Sequence, residues 1–217
     1  MLKIKFINKI LDIIYPPICV MCGRKTKDGL CNKCENILQR QLALKIDNYT
    51  LDNEKNFDEH MYLYQYDGII RNLILKYKFN QKSYLYQIFV KNLKNNKKTC
   101  LFLEKYDIII PVPISCKRLK ERGYNQSSLV SNNIGKKYDD KTLIKIKNIQ
   151  PQSTLKKEDR ITNIENVYSI TNNENIKDKS ILLFDDIYTT GSTVNECSRI
   201  LKQAGAKNIG ILTIAKD

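Results

Sequence analysis

The sequence lacks features on which several classes of protein depend. Its 217 residues contain a single histidine, His60, with no serine or cysteine motif beside it. A nucleophilic triad therefore has no support, and we expect His60 to lie at the surface. There is also no uninterrupted apolar run at the amino terminus, because residues 1–14 are broken by Lys, Asn and Asp and no small-residue cleavage site follows. This pattern argues against secretion.

The apolar residues of this first segment recur at steps of three and four, as on one face of a helix. They are Phe6, Ile7, Ile10, Leu11 and Ile14. The stripe indicates a helix packed on the core or, alternatively, a basic amphipathic helix on a membrane surface, without stable insertion.

Negative charge is scarce relative to positive charge. Lys and Arg number 37 against 23 Asp and Glu, which gives a formal net charge of +14. Such an excess favours polyanionic partners, namely nucleic acid, phosphate esters or an acidic membrane surface. A Lys-rich solvated surface explains the same net charge, so the charge alone does not identify a partner.

Disulfides are not expected, because seven cysteines is an odd count and the sequence predicts a reducing, cytoplasmic location. Four of them form the pattern C-x2-C-x8-C-x2-C: Cys19, Cys22, Cys31 and Cys34. This spacing lets four thiolates converge on one Zn2+ at ~2.3 Å and leaves no open position for a water, so we predict a structural site. Basic residues near the cysteines are consistent with a docking surface for nucleic acid or protein, or with a solvated basic face. Of the other cysteines, Cys197 is predicted to be buried, and Cys116 lies beside two cations that favour a reactive thiolate.

The sequence divides into two unequal parts. Residues 1–40 hold the cysteine pattern, 41–59 is a polar stretch read as a linker, and 60–217 carries the larger domain. In that domain apolar runs predict strands at 62–66, 107–112, 141–147, 167–170, 180–184 and 209–214. Apolar residues at helical spacing predict helices at 68–79, 85–93 and 194–204. The alternation predicts an α/β fold with a parallel sheet flanked by helices.

The strongest motif follows the strand at 180–184. Asp185 and Asp186 stand at its carboxyl end, and a loop of Thr189, Thr190, Gly191, Ser192 and Thr193 opens the next helix. Backbone N–H groups at a helix start, with the loop hydroxyls, suit a phosphate monoester, while the two acids suit the vicinal hydroxyls of a ribose. The motif therefore predicts a sugar-phosphate site.

Two further segments complete the pattern. The strand ending Pro111-Val112-Pro113 precedes a basic loop with Lys117, Arg118 and Arg122, which we expect to neutralise a pyrophosphate. Residues 151–163, which include Arg160, form a polar excursion that we predict to be a lid.

Residues 182–193 resemble the binding fingerprint of the type I phosphoribosyltransferases. With the four-cysteine module, Arg122-Gly123-Tyr124-Asn125-Gln126 and Pro151-Gln152-Ser153, nearly the whole chain resembles the ComF competence-protein family. That resemblance implies binding of phosphoribosyl pyrophosphate with Mg2+, a possible transferase reaction in which Asp185, Asp186, Arg118 and Arg160 take part, and handling of incoming single-stranded DNA with competence proteins such as a helicase. The alternative is a non-catalytic nucleic-acid adaptor whose sugar-phosphate site is vestigial or sensory. The sequence identifies no acceptor substrate.

Overall fold

The structure, a computed structural model, describes residues 18–26, 29–50, 52, 54–79, 82–146 and 167–217. The predicted amino-terminal helical stripe and the predicted lid at 151–163 lie outside these residues. Within them the helices are α1 (Asn32–Arg40), α2 (Gly68–Phe79), α3 (Tyr86–Lys94), α4 (Lys97–Glu104), α5 (Cys116–Arg122), α6 (Gln126–Asn133) and α7 (Ser192–Gln203).

Seven strands accompany these helices in the described ranges: β1 (Lys45–Asn48), β2 (Glu59–Gln65), β3 (Ile108–Pro111), β4 (Leu143–Lys145), β5 (Tyr168–Ile170), β6 (Ser180–Tyr188) and β7 (Asn208–Lys216). Five of them form one sheet in the order β1-β2-β7-β6-β3, and β4 pairs with β5 in a small antiparallel sheet. All neighbours in the large sheet are parallel except β1, which runs antiparallel to β2 at the edge. The predicted α/β class with a mostly parallel sheet is confirmed.

Helices cover both faces of this sheet, which explains why its central strands read as continuous apolar runs. On one face Leu182 and Phe184 pack into a buried cluster with residues of α2, α3 and α6. On the other face Leu183 packs with Val194 and Leu201 of α7. The helical pattern at 68–79 is confirmed with the bounds of α2 unchanged.

Two expectations are wrong. The stretch 41–59 does not behave as a linker throughout, because β1 forms within it and Phe57 is fully buried. Its polar, irregular composition is that of an edge strand, which has one pairing partner and needs little apolar surface.

His60 is the second error, since it is completely buried rather than exposed. It lies in β2 opposite Ile211, and its Nε2 is 2.8 Å from Thr213 Oγ1. Burial lowers the pKa of His60 to about 3, so the ring stays neutral and stacks on Tyr188 at 4.3 Å between centroids. The strand predicted at 62–66 therefore begins three residues earlier than expected, and His60 and Met61 are buried in its first half.

In the described part of the chain, no helix combines the length and the apolar character that crossing a bilayer requires.

Candidate functional site

The candidate site lies at the carboxyl edge of the sheet, where β3 ends beside Phe184 and β6 continues to Tyr188, so that Asp185 and Asp186 lie within β6 and not after it as predicted. Pro111 of β3 pairs with Phe184 of β6, and the N–H of Val112 donates to the carbonyl of Phe184 at 2.9 Å. The segments that follow these two parallel strands therefore emerge at the same edge, as in other open α/β sheets that bind ligands there.

The loop after β6 turns tightly into α7. Gly191 has a φ of +75°, which disfavours residues with a side chain, and a Cβ at this position would lie 2.3 Å from Tyr188 Oη. Thr190 Oγ1 and Ser192 Oγ are 2.8 Å apart, and Thr189 and Thr190 are exposed. The start of α7 thus presents hydroxyls and backbone N–H groups together, the arrangement that holds phosphate groups.

Tyr188 supports this loop from beneath. The side chain is buried, stacks on His60 and meets Phe57 edge to face at 6.4 Å. On the far side, the side-chain oxygen of Asn195 in the first turn of α7 accepts from the N–H of Asn56 at 2.7 Å. The segment read as a linker therefore helps to hold the loop in place.

The two acids face different partners. Asp185 is half-buried, and its Oδ1 accepts from Ser127 Oγ at 3.1 Å and from the N–H of Asp186 at 2.8 Å. Asp186 is buried and its Oδ1 lies 2.8 Å from Lys78 Nζ. Burial, with the negative charge of Asp186, raises the pKa of Asp185 to about 7, although Lys78 and the two donors oppose this rise.

The predicted basic loop is largely a short helix, α5. The side-chain oxygen of Ser115 caps it by accepting from the N–H of Arg118, and Gly123 ends it in the left-handed conformation. Arg122 Nη1 donates to Gln126 Oε1 at 3.1 Å, and its guanidinium lies over the Phe79 ring at 5.0 Å. Arg122 and Asp186 attract each other, whereas Lys117 is exposed on the same helix. The structure thus brings Arg122 beside the acids and leaves Lys117 facing solvent.

Several site residues carry no signal that sequence reasoning used. Lys145 of β4 interacts electrostatically with both Asp185 and Arg118, and its Nζ lies 5.3 Å from the centroid of the Tyr168 ring in β5. Burial lowers the pKa of Lys145 and raises that of Tyr168. The small sheet therefore brings Lys145 and Tyr168 to the border of the site. Arg160, predicted to be catalytic, lies outside the described residues.

The four cysteines form a candidate metal centre. The sulfurs of Cys19, Cys22, Cys31 and Cys34 all lie within 4.8 Å of one another. Cys22 Sγ and Cys31 Sγ are 3.7 Å apart, which fits the ~3.8 Å edge of a tetrahedron with Zn–S bonds of ~2.3 Å. Although burial opposes the shift, backbone N–H groups lower the pKa of Cys19 to about 6 and so favour a thiolate. These residues fit a structural Zn2+ with all four positions filled.

The metal centre is packed onto the sheet domain. Cys19, Cys31 and Cys34 belong to the same buried cluster as Leu73 of α2 and Leu182 of β6. Polar contacts reinforce this packing: Lys76 Nζ donates to the carbonyl of Val20 at 2.6 Å, and Glu35 of α1 forms an ion pair with Lys91 of α3.

Comparison with known proteins agrees with this arrangement. The double zinc ribbon domain family matches residues 10–43, and the phosphoribosyl transferase domain family matches residues 127–217. The chain is 26% identical to "Competence protein F" of Haemophilus influenzae over 91% of this chain and 96% of that protein. It is 25% identical to "Competence protein ComFC" of Bacillus subtilis over 92% of this chain and 78% of that protein.

The predicted resemblance to the ComF competence proteins is confirmed, because both relatives match over about nine-tenths of this chain. A further relative, "DNA utilization protein YhgH" of Salmonella typhimurium, is 27% identical over 52% of this chain and 51% of that protein. Apart from the cysteine module, the described residues that carried the ComF resemblance in the sequence lie at the end of β3 and after it, or at the end of β6 and in the loop after it: 111–113, Arg118, 122–126 and 185–193. In this ComF-like chain only four cysteines fall within the double-ribbon match, which is the number one zinc ion requires.

Proposed function

We propose that this ComF-like protein binds phosphoribosyl pyrophosphate at the carboxyl edge of β6. The observation that carries the proposal is the juxtaposition of two unlike features: a hydroxyl-rich loop at the start of a twelve-residue helix, and two adjacent carboxylates within the last four residues of the preceding strand. A phosphate alone would be repelled by the acids, whereas a sugar phosphate satisfies both.

Each part of the ligand has a matching set of groups. The 5-phosphate is held by the N–H groups and hydroxyls of 189–193, and the ribose hydroxyls donate to Asp185 and Asp186. Arg118 and Arg122 of α5 and Lys145 of β4 face the pyrophosphate, which enters chelated to Mg2+, and the exposed Lys117 adds positive charge on the same helix. If transfer occurs, the bond between the anomeric carbon and the pyrophosphate oxygen breaks as an acceptor attacks that carbon. The cations, and Arg160 from the predicted lid, would then stabilise the departing pyrophosphate.

Isothermal titration calorimetry with Mg-phosphoribosyl pyrophosphate tests the binding. We expect heat in the wild type, a raised melting temperature through mass action, and the loss of both when Asp185 and Asp186 are replaced by Ala together. Neither heat nor a thermal shift at millimolar ligand in the wild type would refute the proposal. Release of pyrophosphate with a panel of nucleobases and amines tests for transfer.

A second use of the same cationic region is favoured by the net charge of +14 and by the relatives' names, which refer to competence and DNA utilization. The chain would act in the cytoplasm on incoming single-stranded DNA, with a competence protein such as a helicase as partner. Removing positive charge from α5 is the most direct test, because Lys117 and Arg118 would contact DNA phosphates and displace their counterions.

Fluorescence anisotropy with a labelled oligonucleotide across a salt series separates the two uses. Affinity should fall steeply with salt in the wild type and fall less steeply in Lys117→Ala with Arg118→Ala. Competition by phosphoribosyl pyrophosphate would indicate that one anion site serves both ligands. No binding at low salt would leave the sugar-phosphate function alone.

A further inference from the structure

The ion pair between Lys78 and Asp186 is not part of any motif that the sequence presents. The two side chains are 18% and 11% exposed, and Lys78 Nζ lies 2.8 Å from Asp186 Oδ1. A buried carboxylate without a partner is strongly unfavourable, so an acid in this place needs a cation close by. Lys78 comes from α2, more than a hundred residues away in sequence from the loop it serves.

The end of α2 is held in place from two directions. On one side, Tyr77 is fully buried and its hydroxyl donates to the carbonyl of Gln126 at 2.9 Å, while the Tyr124 hydroxyl donates to the carbonyl of Tyr77. On the other side, Lys76 Nζ donates to the carbonyl of Val20 beside the metal-binding cysteines. Because the helix end is fixed at both sides, Lys78 reaches Asp186 from a defined position.

The cation also acts on the neighbouring acid. Asp185 is faced by charged or titratable groups from every element packed around it: Asp186 of β6, Lys78 of α2, Lys145 of β4, Tyr168 of β5 and Cys197 of α7. Burial and the charge of Asp186 raise the pKa of Asp185, whereas Lys78 lowers it. Lys78 thus favours the state in which both carboxylates are ionised.

We propose that Lys78 is a positioning residue of the sugar-phosphate site: it holds the Asp186 carboxylate and offsets its charge, so that both acids accept hydrogen bonds from a ribose. This inference rests on the proposed binding of a phosphoribosyl ligand. In this role Lys78 acts through Asp186, with which its ammonium group is paired. Its removal therefore changes the acids without touching the phosphate loop.

The variants follow from this geometry. Lys78→Met removes the charge and keeps the apolar stem, and Lys78→Arg keeps the charge. Lys76→Met is the matched control, because Lys76 lies on the same helix but donates to a backbone carbonyl and not to an acid. Binding of Mg-phosphoribosyl pyrophosphate is measured by calorimetry from pH 6 to pH 9 for the full-length protein and each variant.

We expect Lys78→Met to weaken binding by about tenfold at pH 7 and to move the pH midpoint of binding upward by ~1 unit, since loss of a nearby opposite charge raises a carboxyl pKa. Lys78→Arg should restore the wild-type midpoint, and Lys76→Met should leave it unchanged. An unchanged midpoint in Lys78→Met, or tighter binding through release of Asp186, would overturn the inference.

Two measurements keep the test decisive. If Lys78→Met does not fold, Asp186→Asn is compared with Lys78→Met/Asp186→Asn, in which neither buried partner is charged. Equal affinities support action through Asp186, and a further loss in the double variant refutes it. Carboxyl 13C NMR titration without ligand reports the acids directly. If the wild type binds no ligand but the pKa of the acids is higher in Lys78→Met than in the wild type, the proposed function alone is refuted. If the pKa of the acids is the same in both proteins, this inference is refuted.

Discussion

Replacing Asp185 by Asn should stabilise the folded protein at pH 8 while removing its sugar-binding carboxylate. The pKa of Asp185 rises from 3.8 to about 7 on folding, because the side chain is desolvated beside Asp186. The folded state therefore bears an energetic cost for holding this carboxylate ionised. Asn carries no charge, and its Oδ1 still accepts from Ser127 and from the N–H of Asp186.

The magnitude follows from the shift. A difference of about 3 pKa units corresponds to an upper limit of about 4 kcal/mol, at ~1.36 kcal/mol per unit. Because the carboxylate is half-buried and keeps some contact with water, we expect about 2 kcal/mol of added stability. For a chain of this size that gain raises the melting temperature by ~4 to 8 °C.

The sign of the pH dependence is fixed by the same shift. Above pH 7 the carboxylate is charged in both the folded and the unfolded wild type, so the whole cost is present. Between pH 7 and 3.8 the folded state takes up a proton before the unfolded state does, so the advantage of Asn declines as pH falls. Below that range both forms are neutral and the advantage disappears.

Scanning calorimetry of the wild type and Asp185→Asn at pH 5 and pH 8 measures this effect. Asp139 provides a control of opposite sign, because hydrogen bonds from Thr142, the N–H of Lys141 and Asn175 outweigh burial and lower its pKa. Asp139→Asn should lose stability at pH 8, and that loss should shrink as pH falls. A loss of stability in Asp185→Asn at pH 8, or a gain that does not depend on pH, would refute the reasoning.

Other parts of the structure give further predictions. Metal analysis should find one zinc per chain and less in Cys22→Ser, whereas no zinc with four freely titratable thiols would contradict the site. The cysteine segment and the sheet should unfold in one transition, because they share a buried cluster, and removal of the metal by a chelator should lower its melting temperature. Two separate transitions in calorimetry would contradict this. Gly191→Ala should cost at least ~1 kcal/mol and abolish ligand heat, because of its positive φ and the Tyr188 hydroxyl; unchanged stability would contradict the observed turn.

The parts that the sequence predicted correctly are those governed by local patterns. The periodicity of Ile70, Leu73, Ile74 and Tyr77 determines both the existence and the buried face of α2. The continuous apolar run before Asp185 identifies a central parallel strand, and the glycine and hydroxyls after it identify the turn into α7. Each of these signals lies within about a dozen residues.

The parts that were missed depend on pairing across long stretches of sequence. His60 is buried only because β2 pairs with β7, so that Thr213 and Tyr188 surround it. Likewise, Lys78 is one of many lysines in the sequence, and only the tertiary fold brings it to Asp186. No local pattern distinguishes such residues from solvated ones.

The four-cysteine segment shows how composition and packing divide a chain differently. A segment of this size buries too small a core to be stable without a metal or further packing partners. Leu38 of α1 and Cys34 find them in the cluster that contains Phe89 of α3 and Phe184 of β6. The composition therefore changes at the predicted boundary after residue 40, but the buried cluster includes residues on both sides of it. It follows that the metal stabilises the surface against which α2 packs, and α2 in turn carries Lys78 to the acids of the candidate site.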